Sequence, residues 1–309
     1  MTHLQDPMIT KTTCGNLVPR DLEKQVGIRF DELHSEGHIL WQPFLSENAV
    51  EKGFKVQFQT APHLTLKPIN PIDSSKGKKA QRSDPFANPD PSFVLAYPGS
   101  NHTLILNKFP VYRDSLIIHT NDFQLQSDDL DQSDLAACWH SLQALRTKSS
   151  PDQRQWIMIY NCGIQAGSSQ GHKHMQLWPI PSSSELGFEI FAKRAESTTN
   201  IISLPDIPFK HFILRLSSQA DTSEITAAYA RLLSKVKQVH ADHGSMAYNV
   251  AMTSEWLMLV PRRSSGGEHG FGGNTAVVMG LIWITGPNEK HLWDEYGIWR
   301  HMARIGVPA

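Results

Sequence analysis

Apolar residues recur along this chain with two different periods. Between residues 20 and 40 the run DLEKQVGIRFDELHSEGHIL spaces its apolar positions among charges as an amphipathic helix does, and FKVQFQ further on alternates as a strand does. From residue 102, HTLILNKFPV and RDSLIIHT are two β-rich runs with Pro110, Arg113 and Asp114 at their junction, which predicts neighbouring antiparallel strands. A helix with apolar positions at Leu135, Trp139, Leu142 and Leu145 follows, then a strand over QWIMIYN and another over HKHMQLWPI. Later, SEITAAYARLLSKVKQVH predicts a helix, YNVAMTSEWLMLVPRR a hairpin turning near Thr253, Ser254 and Glu255, and GPNEKHLWDEYGIWRHMARIG a closing helix. Residues 68–92, crowded with Pro, Ser, Lys and Asp, show no apolar period and read as a long loop. Residues 182–210 are polar and Pro-containing and read as a boundary. Strands joined by hairpins and kept apart from helices, rather than strict βαβ alternation, predict an α+β fold on antiparallel sheet.

Composition narrows the classes without choosing one. With 309 residues, 40% of them hydrophobic, the chain is long enough for a sizeable core in one large domain or two. Twenty-nine basic against thirty acidic side chains leave a net charge of −1, so no global field would draw it to nucleic acid or an anionic membrane. Any anionic ligand has to be held by local geometry. Cys14, Cys138 and Cys162 are scattered, without a paired metal-type spacing, which fits a reducing cytoplasm. No apolar run reads as a signal peptide or is long enough to span a bilayer, so neither secretion nor membrane insertion is expected.

The stretch richest in chemistry is YNCGIQAGSSQGHKHMQLWPIP, residues 160–181. His172, His174 and Gln176 stand two apart, which on a strand puts them on one face, with Lys173, Met175 and Leu177 on the other. Just before them, the run from Ala166 to Gly171 is rich in small residues whose N–H groups and hydroxyls can converge on an anion. Neutral imidazole is a competent nucleophile toward phosphorus, its unperturbed pKa being about 6.5. One ring nitrogen attacks while the other holds a proton and is oriented by a partner, for which His172 and a backbone carbonyl are both candidates. Gln176 can donate an amide N–H to a phosphoryl oxygen without supplying a titratable proton. Two histidines on one face could also hold zinc, but no cysteine, aspartate or glutamate lies after them in the motif to complete a tetrahedron, and no metal site is expected.

The run GSSQ-x-H-K-H-x-Q resembles the active-site motif of the diadenosine tetraphosphate (Ap4A) phosphorylases, also called ATP adenylyltransferases, in the galactose-1-phosphate uridylyltransferase branch of the histidine-triad (HIT) superfamily. Three further stretches match that family: DPFANPDP at 84–91, LNKFPV at 106–111 and YNVAMTSEWLMLVPRR at 248–263. The resemblance covers most of the chain. It implies an α+β, HIT-like antiparallel sheet with flanking helices, a catalytic region over 1–205 and a C-terminal region over 206–309 that completes the nucleotide site. It also implies His174 as the nucleophile that becomes adenylylated, with nucleotide contacts from Asn161, Gly167, Ser168, Ser169, Gln170 and Gln176. Asn107 and Lys108 match a nucleotide-contacting stretch, and Lys67 lies where the family tends to have a lysine-rich segment before a proline. Asn249, Met252 and Thr253 match the family's C-terminal contact stretch. Where the family often has lysine in the turn after that threonine, this chain has Ser254 and Glu255, and Arg262 or Arg263 is the candidate replacement. The implied reaction is a reversible phosphorolysis of Ap4A involving inorganic phosphate, ATP and ADP, with no dedicated cofactor and Mg2+ arriving with the nucleotide. The same residues leave room for a hexose-1-phosphate uridylyltransferase, a nucleotide-binding regulator with little turnover, or a zinc-dependent hydrolase.

Overall fold

A computed structural model of the chain describes residues 18–69, 84–146, 154–180, 199–241 and 246–309. The first expected helix is α1 (Leu22–Ser35), shorter than the charged run suggested because Gly37, at φ +77, closes it in the left-handed conformation that glycine tolerates best. β1 (Leu45–Glu51) and β2 (Phe54–Thr60) then pair antiparallel. From residue 94 the alternating runs build β3 (Val94–Ala96), β4 (His102–Leu106), β5 (Leu116–Thr120), β6 (Trp156–Cys162), β7 (His174–Pro179), β8 (Phe212–Arg215), β9 (Tyr248–Met252) and β10 (Trp256–Pro261). These form one eight-stranded sheet in the order β3-β4-β5-β7-β6-β9-β10-β8, every neighbouring pair antiparallel. β11 (Leu281–Ile284) joins β2 in parallel to complete a separate three-stranded sheet. The α+β architecture is as expected. Residues 70–83 of the expected loop and 182–198 of the expected boundary lie outside the described residues.

Alternation along the large sheet creates two cores. On one face Met158, Met175, Leu177 and Val250 pack with α1, α2 (Gln132–Ala144) and α3 (Thr222–Ala241). On the other, Ile157, Ile159, Trp178, Ala251 and Met258 pack with the small sheet, α4 (Thr275–Val278), α5 (Pro287–Tyr296) and α6 (Ile298–Ile305). The single closing helix expected from residue 286 is therefore two, broken at Gly297 with φ +89. Over β4, β5 and β7 the second face is covered by residues 85–93 instead of the small sheet, and a cavity lies beneath them. Strands from either side of residue 205 share the large sheet, Asn161 on β6 pairing with Asn249 on β9. Among the described residues no helix is long and apolar enough to cross a membrane.

The helical face carries a buried ionic group directly behind the histidine motif. Lys173 donates to the Asp134 carboxylate at 3.0 Å and to the Asp129 carbonyl at 3.1 Å, while His102 meets the other Asp134 oxygen at 2.8 Å. Burial opposes the Asp134 charge, but the bonds from His102, the Asp131 amide and Lys173 outweigh it and hold the carboxyl below its usual range. Removing one partner of such a pair leaves an uncompensated charge, so Lys173→Ala is expected to destabilise the fold by about 3 kcal/mol in urea unfolding. A change below about 0.5 kcal/mol, the range of ordinary surface substitutions, would mean that the pair contributes little.

Candidate active site

β7 delivers His174 and Gln176 to the cavity face, as their spacing predicted, while Met175 and Leu177 enter the helical core. The strand begins at His174, not His172. His172 precedes it and makes only an isolated bridge to Leu125. The cavity measures about 360 Å³. His174, Gln176, Ser169, Gln170 and Lys67 give it a polar end, and Ile105, Ile117, Phe86, Phe93 and Phe109 supply apolar walls.

The His174 ring is held by its own neighbourhood. Its Nδ1 lies 2.8 Å from the carbonyl oxygen of His172, which can only accept, so Nδ1 carries the proton and the neutral ring presents an Nε2 lone pair. Of the two orienters the sequence allowed, the backbone carbonyl is the one in contact. Burial pushes the His174 imidazole down to about 4, against the favourable bond to that carbonyl and with the help of the Lys67 charge. Desolvation likewise lowers the Lys67 ammonium.

The His172 ring is engaged elsewhere. Its Nδ1 donates to Asp84 at 2.7 Å and its Nε2 meets the Thr120 hydroxyl at 2.9 Å. Phe86, two residues after Asp84, stacks on His119 at 5.0 Å and leans on His174 at 5.1 Å. His119 faces His174 across the β5/β7 pair, and burial pushes its imidazole down to about 4. Asp84, Phe86, Thr120 and His119 are site residues that the sequence pattern did not single out. Asp84 and Phe86 did lie inside DPFANPDP, so the signal existed without a role attached to it.

The Gly-Ser-Ser-Gln loop contributes in part. Gly167 adopts φ +85, and a Cβ there would stand 2.5 Å from the Gly273 carbonyl, so the position requires glycine. The amides of Gly167 and Ser168 close the turn on the carbonyls of Ile164 and Gly163. The cavity-facing members are Ser169 and Gln170, and Gln170 also donates to the Pro68 carbonyl at 2.7 Å, tying the loop to the segment that carries Lys67. Asn107 and Lys108 both line the cavity. The Asn107 side-chain oxygen accepts from the Phe109 amide at 2.9 Å, which turns the chain there.

Asn161, Asn249, Met252 and Thr253 do not line the cavity. Asn161 Oδ1 accepts from Asn249, from the Thr275 amide and from the Thr275 hydroxyl, and Asn249 also donates to the Ala166 carbonyl at 2.9 Å. These two asparagines fix the base of the loop. Met252 is buried in the helical core, and the Thr253 hydroxyl accepts from the amides of Glu255 and Trp256 in the β9/β10 turn. Arg262 cannot replace a missing phosphate-binding lysine. It is fully buried and donates to Asn249 and to the carbonyls of Ile305, Ser264 and Gly273, an enclosure that pushes its guanidinium down to about 9. Arg263 is exposed and outside the cavity wall. Among the described residues no three His, Cys, Asp or Glu side chains form a metal-holding group.

Residues 19–190 match the family model of the Ap4A phosphorylase N-terminal domain, and residues 205–308 that of the ATP adenylyltransferase C-terminal domain. The diadenosine 5',5'''-P1,P4-tetraphosphate phosphorylase 2 of Saccharomyces cerevisiae is 28% identical over 267 residues, 80% of this chain and 81% of that protein. Protein APA1 of the same yeast is 28% identical over 227 residues, 67% of this chain and 70% of that protein. The crystal structure of yeast Ap4A phosphorylase Apa2 in complex with Ap4A superposes with a TM-score of 0.79 at 24% identity, covering 94% of this chain and 99% of Apa2.

Proposed function

This chain belongs to the Ap4A phosphorylase family, and from that premise we propose that His174 is the nucleophile of a reversible Ap4A phosphorolysis. The observation that carries the proposal is a buried, cavity-lining His174 whose Nδ1 is held by the His172 carbonyl, which leaves Nε2 as the free nitrogen, with Gln176 beside it on the same strand face. Nε2 attacks the α-phosphorus of Ap4A, an N–P bond forms, the bond to the bridging oxygen breaks and ATP leaves. The His172 carbonyl holds the Nδ1 proton while the ring becomes cationic, and Gln176 donates to the phosphoryl oxygens where charge gathers. Inorganic phosphate then attacks the AMP–histidine phosphorus, the N–P bond breaks, ADP is released and the ring returns to neutral. Apolar walls suit an adenosine, and Lys67 and Lys108 suit the polyphosphate. Mg2+ would enter with the nucleotide, and no dedicated cofactor is required. The buried free thiols of Cys138 and Cys162 support a cytoplasmic setting.

Turnover of Ap4A is expected to depend on added phosphate and to yield ATP and ADP with little AMP. Gln176 cannot take a proton from water, so water lacks a general base there, whereas phosphate arrives already anionic. Chromatography of the products with and without phosphate reads this directly, and rapid phosphate-independent AMP release would leave a hydrolase on the same scaffold.

The depressed His174 imidazole also sets an acid limit. Its neutral, nucleophilic form predominates above a pKa of about 4, so the first limb in kcat/KM for Ap4A should appear near that pH and not near the ordinary histidine value of 6.5. Ap4A has no terminal phosphate whose second ionisation would mask the limb. A clear fall centred near the ordinary value would show that the nucleophile is not this buried ring.

A further inference from the structure

We propose that Gln126, a residue outside the nucleotide cavity, is the positioning residue that fixes His174 relative to the loop over residues 163–171. The β6/β7 ladder ends where Ile159 pairs with Gln176. Two pairs further along the same register, at Asn161 and His174, the Gln126 carboxamide fills the fork between the strands. Its Oε1 accepts from the His174 amide at 2.8 Å, and its Nε2 donates to the carbonyls of Asn161 at 2.9 Å and His174 at 3.2 Å. Both amide hydrogens are thereby used, and the side chain is buried.

The Gln126 backbone holds the loop as well. Its N–H donates to the Gly171 carbonyl at 2.9 Å, and its C=O accepts from the Gly163 amide at 3.0 Å and from the Tyr160 hydroxyl at 2.8 Å. One residue thus grips the amide and carbonyl of the nucleophile and both ends of the loop that carries Ser169 and Gln170. The His174 Nδ1 bond to the His172 carbonyl spans only two residues, so it depends on the backbone torsions between Gly171 and His174 that these contacts fix. Only a side chain with a donor and an acceptor on one planar group serves all three bonds. A carboxylate would turn oxygen lone pairs toward two carbonyls, and a thioether would make none of the bonds.

This inference rests on His174 being the nucleophile, and single-turnover adenylylation by Ap4A in phosphate-free buffer separates the two. Gln126→Met keeps the buried volume, and Gln126→Glu keeps the acceptor alone. Both are expected to form the AMP adduct about 10²-fold more slowly at saturating Ap4A, with the concentration giving half-maximal rate nearly unchanged, because misplacement by about an ångström acts on the reacting geometry. The ring 15N spectrum of either variant should show His174 leaving the Nδ1–H tautomer, a signature that loss of stability alone would not produce. A wild-type adduct rate in Gln126→Met, or a loss confined to the half-saturating concentration, would overturn the role of Gln126 and leave the phosphorylase reading intact. Absence of any His174 adduct in the wild-type protein would instead remove the reading on which it rests. Should Gln126→Met fail to fold, Gln126→Glu tests the same role through the same rate and spectrum.

Discussion

His174→Ala is expected to lower Ap4A turnover by on the order of 10⁴-fold or more and to abolish the AMP adduct seen by intact mass, since losing a covalent nucleophile removes the whole double-displacement route. His172→Ala is expected to be milder and to retain the adduct. The difference follows from what each ring touches. His174 lines the cavity with its Nε2 free, whereas both nitrogens of His172 are bound to Asp84 and Thr120, and only its backbone carbonyl reaches the nucleophile. Alanine at position 172 preserves that carbonyl while leaving Asp84 and Thr120 without their partner, so the loss should come through looser positioning. An adduct that persists in His174→Ala and disappears in His172→Ala would reverse the assignment. The adduct should also be acid-labile, as a phosphoramidate is.

The parts of the site that were legible in the sequence are those set by local periodicity. A two-residue repeat was enough to put His174 and Gln176 on one face and Met175 on the other, and the β9/β10 hairpin turned at Thr253 as its pattern indicated. Long-range contacts decided the rest. The resemblance offers Asn161 as a nucleotide contact, yet the Thr275 amide that engages it lies 114 residues away, and nothing near Asn161 announces that bond. Gln126 sits in a short polar run without any period, and its role exists only once β6 and β7 diverge around it. β1 escaped for a different reason. Its side chains are mostly exposed at the edge of the small sheet, so no buried face imposes alternation on LSENAVE.

Gln176→Ala is expected to slow adenylylation by about 10²-fold with little change in Ap4A affinity, the loss typical of one donor to developing charge. Gln176 lines the cavity two residues beyond the nucleophile, which places its side-chain amide to meet a ligand. Its neighbours across the strands are Ile117 and Ile159, apolar groups that keep competing donors away and lower the local dielectric. The negative charge on the phosphoryl oxygens is greatest as the N–P bond forms, and a donor in such surroundings therefore acts on the transition state more than on bound Ap4A. Gln176→Glu should be slower still, because a carboxylate would face the anionic phosphates. Single-turnover rates across a range of Ap4A concentrations separate the two effects: wild-type rates in Gln176→Ala, or a loss seen wholly as weaker binding, would remove Gln176 from the chemical step.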